Sequence, residues 1–210
     1  PLPGGGVHRR VHRPDQAREQ YLLRVGKLAL KPPIHRTTDR AITGPGSELP
    51  IRIYQPREAK PGELLPVLIW YHGGGFVIGN LDTHDSACRL LANQADCMVV
   101  AVDYRLAPES KFPAAVDDSM ATLRWVAQHA REIGADPERI AVGGDSAGAN
   151  LATVAAILAR DEGYPKVGFQ LLIYPCTAPE PETASHRKFA EGYILTRNTI
   201  TWFYKHYQRS

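Results

Sequence analysis

The sequence predicts an α/β fold: a mostly parallel central sheet with helices on both faces. Three observations carry this. Continuous apolar runs recur at 66–71, 97–102, 139–142 and 168–174, and such runs suit strands covered on both faces. Helical patterns alternate with them, which is the order of a parallel sheet wrapped by helices. Two glycine-rich motifs stand at the carboxyl ends of two of these strands, where ligands bind in sheets of this kind.

Each element has its own signal. Residues 1–14 contain Gly4-Gly5-Gly6 and three prolines and offer little to bury, so they are expected to be disordered. The basic stretch from His8 to Arg13 reads as a solvated tail, because no aromatic residues interleave with it. Pro14 to Leu30 is weakly helical, and Pro32-Pro33 ends it. Two strands are expected over Arg36–Ile42 and Leu49–Tyr54, joined by a turn at Gly44-Pro45-Gly46. Pro66–Tyr71 is the first run apolar throughout. A helix over His84–Gln94 leads to a strand over Cys97–Val102. Ala114–Arg131 places Val116, Met120, Leu123, Ala127 and Ala130 on one helical face. Arg139–Val142 is the next strand. Ala147–Arg160 is nearly all apolar, so it packs deeply, and Gly168–Tyr174 is the last strand.

Composition narrows the function classes. A chain of 210 residues, 43% hydrophobic and 22% charged, is an ordinary globular domain with a real core. A net charge of +3 gives no reason to expect nucleic acid or an anionic membrane as partner. The longest nearly apolar stretch, Ala147–Ala159, falls short of the ~20 residues that span a bilayer. Cys88, Cys97 and Cys176 are an odd number without a CxxC, which argues against a disulfide framework and against a zinc site. Reduced, inert thiols fit a cytoplasmic protein, and the N-terminus has no apolar core of signal-peptide length. No metal and no organic cofactor is implied.

The first motif is Gly144-Asp145-Ser146-Ala147-Gly148. A strand precedes it and an apolar helix follows, the context of a nucleophile elbow. Such a serine sits on a strained turn, and the small neighbours leave room for that turn. The helix start offers free N–H groups and a positive dipole end, so the N–H of Ala147 faces a developing oxyanion. The second motif is His72-Gly73-Gly74-Gly75 after the strand ending at Tyr71. Its glycines let the backbone approach a ligand and present N–H groups to it. A phosphate loop needs a following Lys-Ser/Thr, and Gly79 is followed by Asn80 and Leu81. The dinucleotide pattern fails because Ile78 stands at its last glycine. His72 reads as a structural hydrogen-bonding residue. A third segment, Asp103–Glu109, ends another strand and reads as a Pro-stopped structural loop with internal Arg–carboxylate pairing.

On these residues the chain resembles the hormone-sensitive-lipase-like family of α/β-hydrolases, which includes many bacterial esterases. Arg52–Pro56, Phe112-Pro113, Tyr174-Pro175 and Glu191–Thr196 add to the resemblance, which runs from about Pro14 onward. It implies that Ser146 is the nucleophile and that Gly74, Gly75 and Ala147 donate to the oxyanion, with His72, Gly73, Gly144, Asp145 and Gly148 supporting them. It implies a small cap over the acyl pocket, dividing the chain into a tail and first cap segment (1–45), a partial hydrolase core (46–175) and a second cap segment (176–210).

The expected activity is hydrolysis of small, neutral carboxylic esters with short acyl chains, through an acyl-enzyme. The family's triad runs Ser, then Asp or Glu, then His along the chain, and both partners are expected beyond Ser210. His186, His206 and Asp161 do not stand in the family's triad context. The strand over 168–174 would then offer an exposed edge and a route to a homo-oligomer. A second function stays open: a non-catalytic ligand-binding protein on the same fold. Plant gibberellin receptors resemble the family and keep its serine motif while losing the catalytic histidine. The histidine after the last strand discriminates the two.

Overall fold

The structure, a computed structural model, describes residues 13–28, 30–178 and 183–209. Of the stretch 1–14 expected to be disordered, residues 1–12 lie outside them. Helix α1 spans Pro14–Leu28. Proline suits a first helical position because its missing N–H has no intrahelical partner anyway. Strands β1 (Arg36–Thr43) and β2 (Glu48–Gln55) form an antiparallel pair. Next come β3 (Leu65–Tyr71), helix α2 (Asp85–Ala95), β4 (Met98–Val102) and helix α3 (Ala114–His129). Then follow β5 (Ala135–Asp145), helix α4 (Ala147–Glu162), β6 (Phe169–Ile173) and two short helices, α5 (Ala184–Lys188) and α6 (Arg197–Tyr207).

The six strands form one sheet in the order β1-β2-β4-β3-β5-β6. The inner neighbours β4, β3, β5 and β6 run parallel, and β2 joins β4 antiparallel. Because β1 belongs to this sheet, the sheet begins at Arg36, inside the 1–45 span expected as tail and cap. β5 is also longer than the four residues expected. Its first part contains Asp136-Pro137-Glu138, poor strand residues, and a register shift against β3 lies there.

Alternation divides the core in two. Val67, Ile69 and Tyr71 of β3, with Met98, Val100 and Val102 of β4, pack under α3 and α4. Leu68 and Trp70, with Val99 and Ala101, pack with Cys88 and Ala92 of α2. Helices therefore cover both faces, as the apolar runs predicted. α4 buries Leu151 and five of its alanines beyond Gly148, so it lies close to the sheet. Both glycine motifs end at the same rim, at the carboxyl ends of β3 and β5.

Among the described residues β6 pairs only with β5, and it carries exposed apolar side chains: Phe169 at 63% and Leu172 at 36% exposure, with Tyr174 just beyond at 73%. No helix among the described residues is long and apolar enough to cross a membrane.

Candidate active site

Ser146 caps α4 with φ 53° and ψ −114°. A non-glycine residue at positive φ is strained, and such strain persists only where the surroundings hold it. Here they do. Ser146 N–H donates to Ile173 O at 2.9 Å, and Ser146 O accepts from Cys176 N–H at 3.1 Å and Asn150 N–H at 3.2 Å. Gly148 explains the motif's last glycine, since a Cβ there would run into the Tyr71 carbonyl. The elbow and the end of β3 therefore pass at backbone contact, which brings His72–Gly75 beside Ser146.

The 72–75 loop is held one peptide plane at a time. Tyr104 Oη donates to His72 O at 2.6 Å, and Gly73 N–H donates to Asp145 Oδ1 at 3.0 Å. These bonds grip both ends of the 72–73 peptide. His72 Nδ1 lies 2.8 Å from Gly73 O, which can only accept, so the ring proton sits on Nδ1 and the 73–74 peptide is held too. Val77 and Ile78 N–H donate to Gly74 O at 3.1 and 3.0 Å, fixing the 74–75 peptide. With each carbonyl held, the N–H at the other end of each trans peptide is aimed the opposite way. Among the described residues neither Gly74 N–H nor Gly75 N–H has an acceptor. Ala147, first residue of α4, has no acceptor one turn back. Among the described residues, the N–H groups of Gly74, Gly75 and Ala147 are therefore without a backbone acceptor.

Gly74 adopts φ +126°, and a Cβ there would meet the Ile78 carbonyl. A Cβ on Gly75 would meet the Phe203 ring of α6. α6 is anchored by Phe76 stacked on Tyr207 at 3.9 Å and by Phe112 N–H donating to Tyr207 O at 3.0 Å. α1 is anchored by Arg18, which donates to Val77 O at 2.8 Å, to Ala107 O at 2.9 Å and to both Glu109 oxygens. Both segments expected to form a cap thus touch the 72–75 loop or its immediate continuation.

His72 is buried, and its ring bonds the backbone of its own loop. Burial, with His84 beside it, pushes its ring down to about 3, so it is neutral at pH 7. None of the described histidines hydrogen-bonds Ser146 Oγ. His186 Nδ1 meets Thr183 Oγ1 at 2.6 Å, and His206 packs against Trp202 at 4.5 Å. The segment Asp103–Glu109 differs from expectation in its pairing. Arg105 reaches out of the loop to Asp118 of α3 at 2.8 Å, and Glu109 takes Arg18. Short spacing does not forbid pairing, as Arg89–Asp85 shows; here α3 and α1 present the partners across the rim. No group of three potential metal ligands occurs among the described residues.

Two cavities flank the loop. One, of about 530 Å³, is lined by Phe76, Phe112, Asn150, Cys176, Tyr204 and Tyr207, one helical turn from Ser146. The other, of about 470 Å³, borders the charged and polar side chains of Arg18, Asn80, Thr83, Asp103 and Arg105. Burial, followed by the Asp82 carboxylate, pushes Asp103 up to about 6.

A serine at positive φ, between a strand end and a helix start on a sheet of this strand order, has the backbone form of a strand–turn–helix elbow. Residues 68–210 match the family model of the alpha/beta hydrolase fold. The chain belongs to the α/β-hydrolase family, in its hormone-sensitive-lipase-like branch. It is 48% identical over 184 residues to the carboxylic ester hydrolase LipN of Mycobacterium tuberculosis, covering 85% of this chain and 48% of that protein. It is 41% identical over 166 residues to the ethyl acetate hydrolase of Pseudomonas putida, covering 79% and 52%. The hyperthermophilic esterase of Pyrobaculum calidifontis superposes with a TM-score of 0.89 at 44% identity, covering 95% of this chain and 66% of that one. The chain spans about half the length of the curated relatives it matches.

Proposed function

We propose that this protein hydrolyses small carboxylic esters with Ser146 as its nucleophile. The observation that carries the proposal is the meeting of a strained serine with the unpaired N–H groups of Gly74 and Gly75. Ser146 Oγ adds to the ester carbonyl carbon while its proton passes to a base. The carbonyl oxygen becomes an oxyanion held by Gly74, Gly75 and Ala147 N–H. Collapse expels the alcohol, which takes the proton from the base, and water then releases the acid from the acyl-serine by the same steps. The base is a histidine oriented by a carboxylate, assigned to the part of the longer relatives that this chain does not match.

Short acyl chains suit the aromatic-lined 530 Å³ cavity near Ser146. The similarity to an ethyl acetate hydrolase supports the same size class. The segments around α1, α5 and α6 act as a cap over this pocket. The apolar edge of β6 pairs with a further strand, and a second copy of the chain supplies one in a homo-oligomer. Free thiols at Cys88, Cys97 and Cys176 favour a cytoplasmic setting. The test is hydrolysis of p-nitrophenyl acetate by the protein that carries this chain, with Ser146→Ala as its control. Turnover lost in the variant supports the proposal, and turnover retained rejects it.

A further inference from the structure

Asp145 stands next to the nucleophile in sequence, yet it faces backward. Its Oδ1 accepts Gly73 N–H at 3.0 Å and lies 3.3 Å from Nε2 of His84. A carboxylate has no proton to give, so any hydrogen bond across this contact is donated by His84. The ring is fixed from its other side by Thr83 Oγ1, 2.9 Å from Nδ1. Thr83 is tied to Asn80 through the Asn80 N–H and the Thr83 N–H, both at 2.9 Å. His84 itself is buried and stacks on His72 with ring centroids 5.4 Å apart. A chain of contacts thus runs from the start of α2, through His84 and Asp145, to the first peptide of the oxyanion loop.

Two consequences follow. The Asp145 carboxylate belongs to the elbow and, through Gly73 N–H, holds the loop. An unbalanced anion beside an oxyanion hole would oppose the charge that develops there. Burial pushes the Asp145 carboxyl up, but the His84 hydrogen bond and charge, with the Gly73 N–H, outweigh it and keep the group below the usual carboxylate range. His84 therefore holds the carboxylate in place against Gly73.

We propose that His84 is a positioning residue for ester hydrolysis, locking the oxyanion loop to the nucleophile elbow through Asp145. The proposal rests on the ester-hydrolase function proposed above. It assigns His84 no proton transfer with substrate.

The test uses His84→Ala and His84→Gln in the protein that carries this chain, with Ser146→Ala as control. A misplacement of about 1 Å in such a site costs on the order of 10²-fold. His84→Ala should therefore lower kcat by roughly 10- to 100-fold on p-nitrophenyl acetate with little change in KM. His84→Gln retains a side-chain N–H donor and should recover part of that loss. The Gly73 amide should exchange its hydrogen faster in His84→Ala than in the parent, while amides of β4 stay protected. A folded His84→Ala with parental kcat overturns the proposal, and so does a rise in KM alone or an unchanged Gly73 amide. Failure of the ester-hydrolase function reads differently: the parent and Ser146→Ala then hydrolyse the ester alike, and the Gly73 amide still decides the role of His84.

Discussion

Replacing Gly74 with alanine probes the oxyanion loop at its most constrained point. At φ +126° an alanine is strained, at a cost of about 1–3 kcal/mol for residues in such regions. Its Cβ would also run into the Ile78 carbonyl, so the turn closed by Val77 N–H and Ile78 N–H on Gly74 O must open. That turn fixes the 74–75 peptide and therefore the Gly75 donor. The Gly74 donor moves with it. Loss of one oxyanion donor costs about 10²–10³ in turnover, so Gly74→Ala should fall at least that far. The three atoms nearest to this Cβ all belong to Ile78, outside the sheet, so the variant should fold. Turnover on p-nitrophenyl acetate, measured beside circular dichroism and a melting curve, separates the two effects. A folded Gly74→Ala within threefold of parental turnover would refute the role given to this loop.

Two further outcomes follow from other parts of the molecule. Asp103 has a folded value of about 6 against an unfolded value near ~3.9. A raised acid favours the folded state when protonated, so its contribution is fully present below ~pH 4 and is lost as pH rises through about 6. Asp103→Asn should therefore raise the melting temperature more at pH 8 than at pH 4, and equal shifts at both would contradict the burial argument. At the sheet edge, Phe169→Lys with Leu172→Lys places charge on a strand that would pair with another. Sedimentation should show less self-association in the double variant, and an unchanged distribution would remove β6 from any oligomer.

Much of the fold was legible because strand burial and helix faces leave periodic traces. Val67–Tyr71 and Val99–Val102 are apolar on both faces, and that pattern survives in any context. The two motifs were legible because glycines are demanded by backbone contacts, as Gly148 is by Tyr71 and Gly74 by Ile78. What escaped has no period. Arg18 clasps Val77, Ala107 and Glu109 across 59 to 91 residues of sequence. The start of β5 hides behind a proline and two acidic residues. Arg105 was expected to pair within its own loop and found Asp118 instead. The His84–Asp145 contact joins the start of α2 to the end of β5, and no local spacing could announce it.

The most direct test of the nucleophile is covalent. The protein that carries this chain is treated with a fluorophosphonate, digested, and the adduct mapped by mass spectrometry. A single adduct on Ser146, absent from Ser146→Ala, is the expected result. An adduct on another serine that persists in Ser146→Ala, or a folded protein that takes up no phosphonate while binding a small ligand, would contradict nucleophilic catalysis at Ser146.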